Sequence, residues 1–373
     1  FKQKTAYEIL SGLVGSEMCI RDRIRTTSTL EKTGYLLINL GSPDSYSTTD
    51  VRRYLGEFLM DPYVINLPWL ARKMIVGCFI LPFRPKSTSD AYRKIWTDNG
   101  SPLLIFSQNL GKRLEEQFGI HVEVAMRYGR PSIKEALSSF ESQNIQEIKV
   151  LPLYPQFCDA TVTTTIDKVI KENQEKANIS VIPPFYSNEA FVKSSANVIA
   201  ENLPEKFDHL LFSYHSLPES QVKNSDPTGE HCLSHPNCCL QETSSNINCY
   251  RHQCIKTSDL ISAALNIPKT KYSTSFQSKL GPVPWLTPST EKTLISLGKS
   301  GVKQLVVACP SFVADNLETL EEIGDRGRET FIKAGGNNLT LVPCLNDRSD
   351  WITGLGKILI DHSSEDAIEV TSA

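Results

Sequence analysis

The sequence predicts an α/β protein made of two similar doubly wound domains, each with a four-stranded parallel sheet, facing across a cleft. Three observations lead there. From Gly34 onward, short β-branched or aliphatic runs alternate with helical patterns, as in parallel strands joined by helices. The two halves then repeat one layout: YLLINLGSP (35–43) parallels HLLFSYHSLP (209–218), and EIKVLPLYPQF (147–157) parallels VKQLVVACPSF (302–312). Each half also carries a Pro-bearing loop and an amphipathic helix before its third strand, at 131–141 and at 288–297. The expected domains are 34–185 and 186–360, with a cysteine-rich insertion at 231–254 and a last helix packing back on the first domain.

In chain order, residues 1–23 lack the charged, apolar and small-residue regions of a secretory signal. The run SGLVGSEMCIRDR reads as a translated sequencing adaptor, an artefact outside the fold, with a transit peptide or tail as the alternative. The first four strands are expected at 35–40, 122–126, 148–153 and 179–182. The second four are expected at 209–213, 271–275, 304–308 and 339–342. Between the first two strands, the aromatic and apolar segment 69–83 is followed by Arg84, Lys86 and Arg93. It reads either as an apolar lip with a cationic rim or as an ordinary amphipathic helix. Past the seventh strand, Asp315 and Glu318 fit a capping box for a helix starting near Asn316, with Leu317, Leu320 and Ile323 on its buried face.

Composition narrows the function. Lys+Arg 39 against Asp+Glu 42 gives a net charge of −3, without the basic footprint of a nucleic-acid binder. The longest apolar run, residues 74–83, is half of the roughly 20 residues that a membrane span needs. Five of the ten cysteines, Cys232, Cys238, Cys239, Cys249 and Cys254, fall within residues 232–254, which points to a metal site in a reducing compartment rather than a disulfide scaffold.

Doubly wound folds bind ligands beyond the carboxyl ends of strands, which makes the residues there the candidates. His215 ends the strand LLFSYHS and can exchange protons near neutral pH, although a strand-end histidine is more often structural. Glu318 and Glu322, at i and i+4, form either a solvated acidic face or a channel for protons or metal ions. Arg127 and Tyr128 follow the second strand, and Ser278 and Trp285 follow the sixth. An arginine there can meet a carboxylate and a tryptophan can form a flat apolar wall.

Taken together, INLGSPDS, AYRKIW with GSPL, MRYGRPS, VLPLYPQF, FSYHSLP, FQSKLGPVPWLTPST and FVADNLETLEEI resemble the ferrochelatase family, whose members insert ferrous iron into a porphyrin. The resemblance runs from about 34 to 360. It implies a porphyrin metal chelatase of the haem pathway, with protoporphyrin IX and Fe²⁺ as substrates. His215 is then the catalytic base and Glu318 its acidic partner, both touching the entering iron, with Glu322 on the proton or metal path. Leu40, Arg93, Arg127, Tyr128, Ser278 and Trp285 would meet the porphyrin. Asn316 stands where animal members carry a second histidine. Segment 67–83 resembles the family's active-site lip, which implies a cytoplasmic protein with room for peripheral contact at the inner membrane.

The cysteine segment resembles the insertion by which some bacterial members hold a [2Fe-2S] cluster. The expected ligands are Cys232, Cys239, Cys249 and Cys254, with Cys238 in place of Cys239 as the alternative. Zinc is the rival occupant, helped by His231, His235 and His252. Rival functions are a catalytically silent haem or iron-sulfur sensor and a chelatase acting on another tetrapyrrole.

Overall fold

The computed structural model describes residues 33–279, 281–362 and 368–369. The adaptor-like run at 1–23 lies outside the described residues. Two compact units emerge. One takes residues 33–153 together with Asp159–Pro184 and the described residues from Ile352 on; the other takes Tyr154–Cys158 and Phe185–Trp351.

The first unit is built on β1 (Thr33–Asn39), β2 (His121–Met126), β3 (Glu147–Pro152) and β4 (Asn178–Val181), all parallel, in the order β2-β1-β3-β4. Tyr35, Leu36, Leu37 and Ile38 of β1 are fully buried, as expected of a central strand covered on both faces. The second unit repeats the order with β5 (His209–His215), β6 (Tyr272–Gln277), β7 (Gln304–Ala308) and β8 (Asn338–Leu341) as β6-β5-β7-β8. In both units the first strand lies between the second and the third. The order in which strands are added therefore reverses at β1 and β5, and their carboxyl ends are the expected ligand positions.

The structure departs from the sequence expectation in two places. A two-residue strand, β9 (Ile368–Glu369), pairs antiparallel with β4, so the first sheet has five strands rather than four. A segment this short carries no readable alternation. β5 also runs on through His215, because Ser213, Tyr214 and His215 keep their register with Ser275, Phe276 and Gln277 of β6. The polar residues that suggested a strand end are satisfied within the sheet: the Ser213 hydroxyl donates to Gln277 Oε1 at 2.6 Å.

Candidate active site

In the second unit, β5 presents His215 as its last residue. The imidazole Nδ1 lies 2.7 Å from the Ser216 carbonyl oxygen, which can only accept, so Nδ1 carries the proton and Nε2 keeps the lone pair of the neutral ring. The backbone N–H of His215 donates to Ser311 Oγ at 3.3 Å. Gln277, opposite His215 in β6, is buried; its Nε2 donates to the Glu318 carbonyl at 2.8 Å. One amide thus links the histidine-bearing strand pair to the turn that carries Glu318.

The expected Asp315–Glu318 capping box is not formed. Asn316 Oδ1 accepts from the Thr319 N–H at 3.0 Å and Thr319 Oγ1 accepts from the Asn316 N–H at 3.1 Å. Asp315 instead receives the Cys344 N–H and the Asn346 amide. Capping is therefore not the role of the Glu318 carboxylate, which lies half-buried.

From Glu318 to Gly327 the backbone is π-helical. This rotates the expected stripes: Thr319, Glu321, Ile323, Gly324 and Gly327 are buried, whereas Leu317 and Leu320 are only partly so. Arg326 reaches back five residues to Glu321 at 2.8 Å, and only 3.8 Å separates it from Glu322. π turns cluster at functional sites in general.

Both oxygens of Glu322 are engaged by one residue. The Ser278 N–H donates to Oε1 at 2.9 Å and its hydroxyl to Oε2 at 2.6 Å. Ser278 has φ +64°, the left-handed region that non-glycine residues rarely adopt, and the carboxylate clamp holds it there. That turn leads to Trp285, which bridges to Pro218, while the Leu286 N–H donates to the Leu217 carbonyl at 3.0 Å. The His215 loop and the Trp285 loop are thus tied together. The Trp285 indole N–H is buried without a hydrogen-bond partner among the described residues.

In the first unit, the expected porphyrin contacts divide. Leu40 stands half-buried just past β1, and its carbonyl accepts from the Tyr128 N–H at 2.9 Å. Tyr128 is fully buried, with its hydroxyl on Asp61 Oδ2 at 2.9 Å. Arg127 forms a short contact with the same oxygen, donates twice to Thr164 Oγ1 and once to the Thr164 carbonyl, and lies over the Tyr128 ring at 4.4 Å. Thr164 also donates to Asp61 Oδ2, at 2.6 Å. Asp61 and Thr164 escaped sequence reasoning because their partners lie 37 to 103 residues away, beyond any local pattern. Arg93 is exposed on the helix Arg84–Ile95, near Asp90 and over the Tyr46 ring.

All five clustered cysteines are buried. The Cys238 and Cys239 sulfurs are 3.7 Å apart, and Arg251 donates to Cys239 Sγ at 3.2 Å and to Cys238 Sγ at 3.7 Å. A hydrogen bond shared with the Cys232 thiol, together with burial, holds Cys249 up at about 12, and Cys249 also bonds Cys239, whose thiol is raised by that contact. The thiols of Cys232, Cys249, Cys239 and Cys238 thus form one chain of contacts. Burial raises the Cys254 thiol well above the usual range; its hydrogen bond is with Tyr250, and the neighbouring Cys249 and Cys239 act on it as well. His252 donates from Nδ1 to the Cys239 carbonyl at 3.0 Å, and its buried Nε2 has no hydrogen-bond partner among the described residues. Among the described residues, no group of three or more His, Cys, Asp or Glu side chains is arranged to hold one metal ion.

Comparison with known proteins gives a consistent result. A family model described as ferrochelatase matches residues 32–363. A ferrochelatase of Pseudomonas fluorescens is 46% identical over 329 residues, covering 87% of this chain and 96% of its own; that of Stutzerimonas stutzeri is 46% identical, covering 86% and 95%. Among solved structures, SirB from Bacillus subtilis with Fe³⁺ superposes with a TM-score of 0.52 at 10% identity over 88% of this chain and 96% of that one, which is a likeness of fold. The chain belongs to the ferrochelatase family.

Proposed function

We propose that this chain inserts ferrous iron into protoporphyrin IX to form protohaem, with Nε2 of His215 as the base. The supporting observation is the His215 tautomer: with Nδ1–H committed to the Ser216 carbonyl, the lone pair sits on Nε2. A porphyrin must lose two N–H protons as the metal enters, and an imidazole nitrogen with its lone pair uncommitted suits that task. Imidazole and carboxylate hold Fe²⁺ without the grip of a thiolate set, which favours transfer over storage, so Glu318 serves as the second donor to the entering iron. Glu322, clamped on Ser278, steadies the turn to Trp285. Arg127 and Tyr128 act through Asp61 to shape the first unit's strand ends, and the exposed Arg93 is the freer partner for a propionate. His215→Ala should abolish insertion, read anaerobically as loss of porphyrin fluorescence, with an unchanged circular dichroism spectrum. Turnover near that of the wild type would refute the assignment.

Leu40 favours protoporphyrin IX over a four-carboxylate porphyrin, since it offers apolar contact where coproporphyrin-using relatives resemble each other in a tyrosine. Better kcat/KM for coproporphyrin III would overturn this part of the reading.

The insertion is read as the seat of a [2Fe-2S] cluster, a group commonly bound by four thiolates. The donor chemistry suits it: the clustered thiols are buried, the Cys238 and Cys239 sulfurs lie 3.7 Å apart, and Arg251 donates to both. The ligand set read here is Cys232, Cys239, Cys249 and Cys254, with Cys238 in place of Cys239 as the alternative. The cluster would add rigidity to the insertion, because metal binding doubles as folding energy. Cys254→Ser should bleach the anaerobically purified protein. A Cys254→Ser protein that keeps its colour would remove Cys254 from the set, and one zinc per chain in a colourless, active protein would favour the zinc site.

A further inference from the structure

Tyr250 joins two parts of the second unit that sequence reading treated separately. It follows Cys249 and opens the helix Tyr250–Ala264, yet its hydroxyl donates to the main-chain carbonyl of His215 at 2.8 Å. β7 keeps its register with β5 only as far as Phe212↔Ala308, so the end of β5 runs past its neighbour on that side. There the N–H of His215 goes to Ser311 Oγ and its C=O to the Tyr250 phenol, so side chains hold the mount of the imidazole.

The helix behind Tyr250 is fixed to the same unit. Ser258 Oγ meets Tyr214 Oη at 2.9 Å, and Gln253 accepts from the Phe157 N–H at 2.6 Å while donating to the Ile247 carbonyl at 2.7 Å. Cys254, one turn on, shares a hydrogen bond with Tyr250 and steadies the phenol from the helix side. On the other side, the peptide bond joins Tyr250 to Cys249, a member of the thiol chain. A rearrangement of Cys249 therefore moves the first turn of the helix, and the phenol with it.

We infer that Tyr250 is a positioning residue for His215, and that the state of the thiol segment reaches the imidazole through this one hydroxyl. The inference rests on the readings of His215 as base and of the thiols as a metal-holding set. Tyr250→Phe keeps the ring and its packing and removes only the O–H.

The test uses the full-length chain. For Tyr250→Phe, kcat for Fe²⁺ insertion should fall by about tenfold, as expected for a base displaced by a fraction of an ångström, while KM for the porphyrin stays put. A stability effect alone would not separate the two constants in this way. Cadmium, a soft ion that prefers thiolates, serves as the probe of the segment, with its thiolate absorption reporting occupancy. Loading should shift the ¹⁵N imidazole resonances of His215 in the wild type, and the shift should vanish in Tyr250→Phe and in Cys239→Ser. Unchanged kcat in Tyr250→Phe overturns the inference, as does a shift that persists in either variant. If Tyr250→Phe does not fold, the wild-type titration decides: full thiolate absorption with unmoved His215 resonances overturns the coupling. An active His215→Ala would instead condemn the reading of the site, whereas an inactive His215→Ala beside an unaffected Tyr250→Phe condemns only the inference.

Discussion

Asp61 takes three donors on one buried oxygen: the Arg127 guanidinium, the Tyr128 phenol and the Thr164 hydroxyl. Its side chain is 2% exposed and that of Arg127 is 12% exposed, so this ion pair operates where water screens little. Removing one partner of a buried pair strands the other charge, at a cost of about 3–5 kcal/mol. Asp61→Ala should lower stability by that amount in urea unfolding, far more than Arg93→Ala, whose guanidinium is mostly in solvent. A loss below about 1 kcal/mol would mean that Arg127 finds another partner. Sequence reading found Arg127 and Tyr128 but took both as ligand contacts. It missed that they are held from behind, because nothing local connects residue 61 to residues 127 and 164.

At the scale of elements, the eight parallel strands were legible because most are β-branched or aliphatic runs bounded by turn residues, with β1 and β5, the strands where the repeated order reverses, buried on both faces. The π turn from Glu318 to Gly327 was not legible, since the residue pattern of an α-helix and of a widened turn differs only in which faces are buried. The cysteine insertion shows a different limit. Its clustering was plain, but membership of the thiol chain depends on how the loop is folded, and that is set by Asp226. The Asp226 carboxylate accepts from the N–H groups of Cys232, His231 and Thr228 and from the Thr228 hydroxyl. Burial pushes its pKa up, but those hydrogen bonds outweigh it and leave it at about 2. A carboxyl held below its ordinary value of 3.8 stabilises the folded loop fully above that value. The contribution is lost as pH falls through the folded pKa, so the loop should loosen between about pH 4 and pH 2. The protection of the Cys232 amide from hydrogen exchange, taken relative to the unstructured chain at the same pH, should fall over that window, and Asp226→Asn should bring the lower protection to neutral pH. Protection independent of pH in this range would remove Asp226 from the role.

At the scale of the molecule, a net charge of −3 is paired with an uneven distribution of apolar surface. No helix among the described residues is long and apolar enough to cross a membrane. Yet Trp69, Leu70, Met74, Phe79 and Phe83 are each more than half exposed, on the helix Trp69–Met74, the π turn Ile75–Ile80 and the residues just after it. An ordinary amphipathic helix would bury such side chains. Exposed apolar patches of this kind mark contact surfaces, and Lys73, Arg84 and Lys86 beside them suit an anionic lipid surface. A fully buried Phe is worth roughly 1.5–3 kcal/mol, and each basic residue near an anionic bilayer about 1 kcal/mol. Phe79→Asp with Phe83→Asp should therefore lower co-sedimentation with phosphatidylserine-containing vesicles by at least about tenfold, since each tenfold requires only 1.4 kcal/mol. Binding by the wild type should weaken with salt, as the basic rim is screened. Vesicle binding unaltered by the two aspartates would refute a lipid contact at this surface.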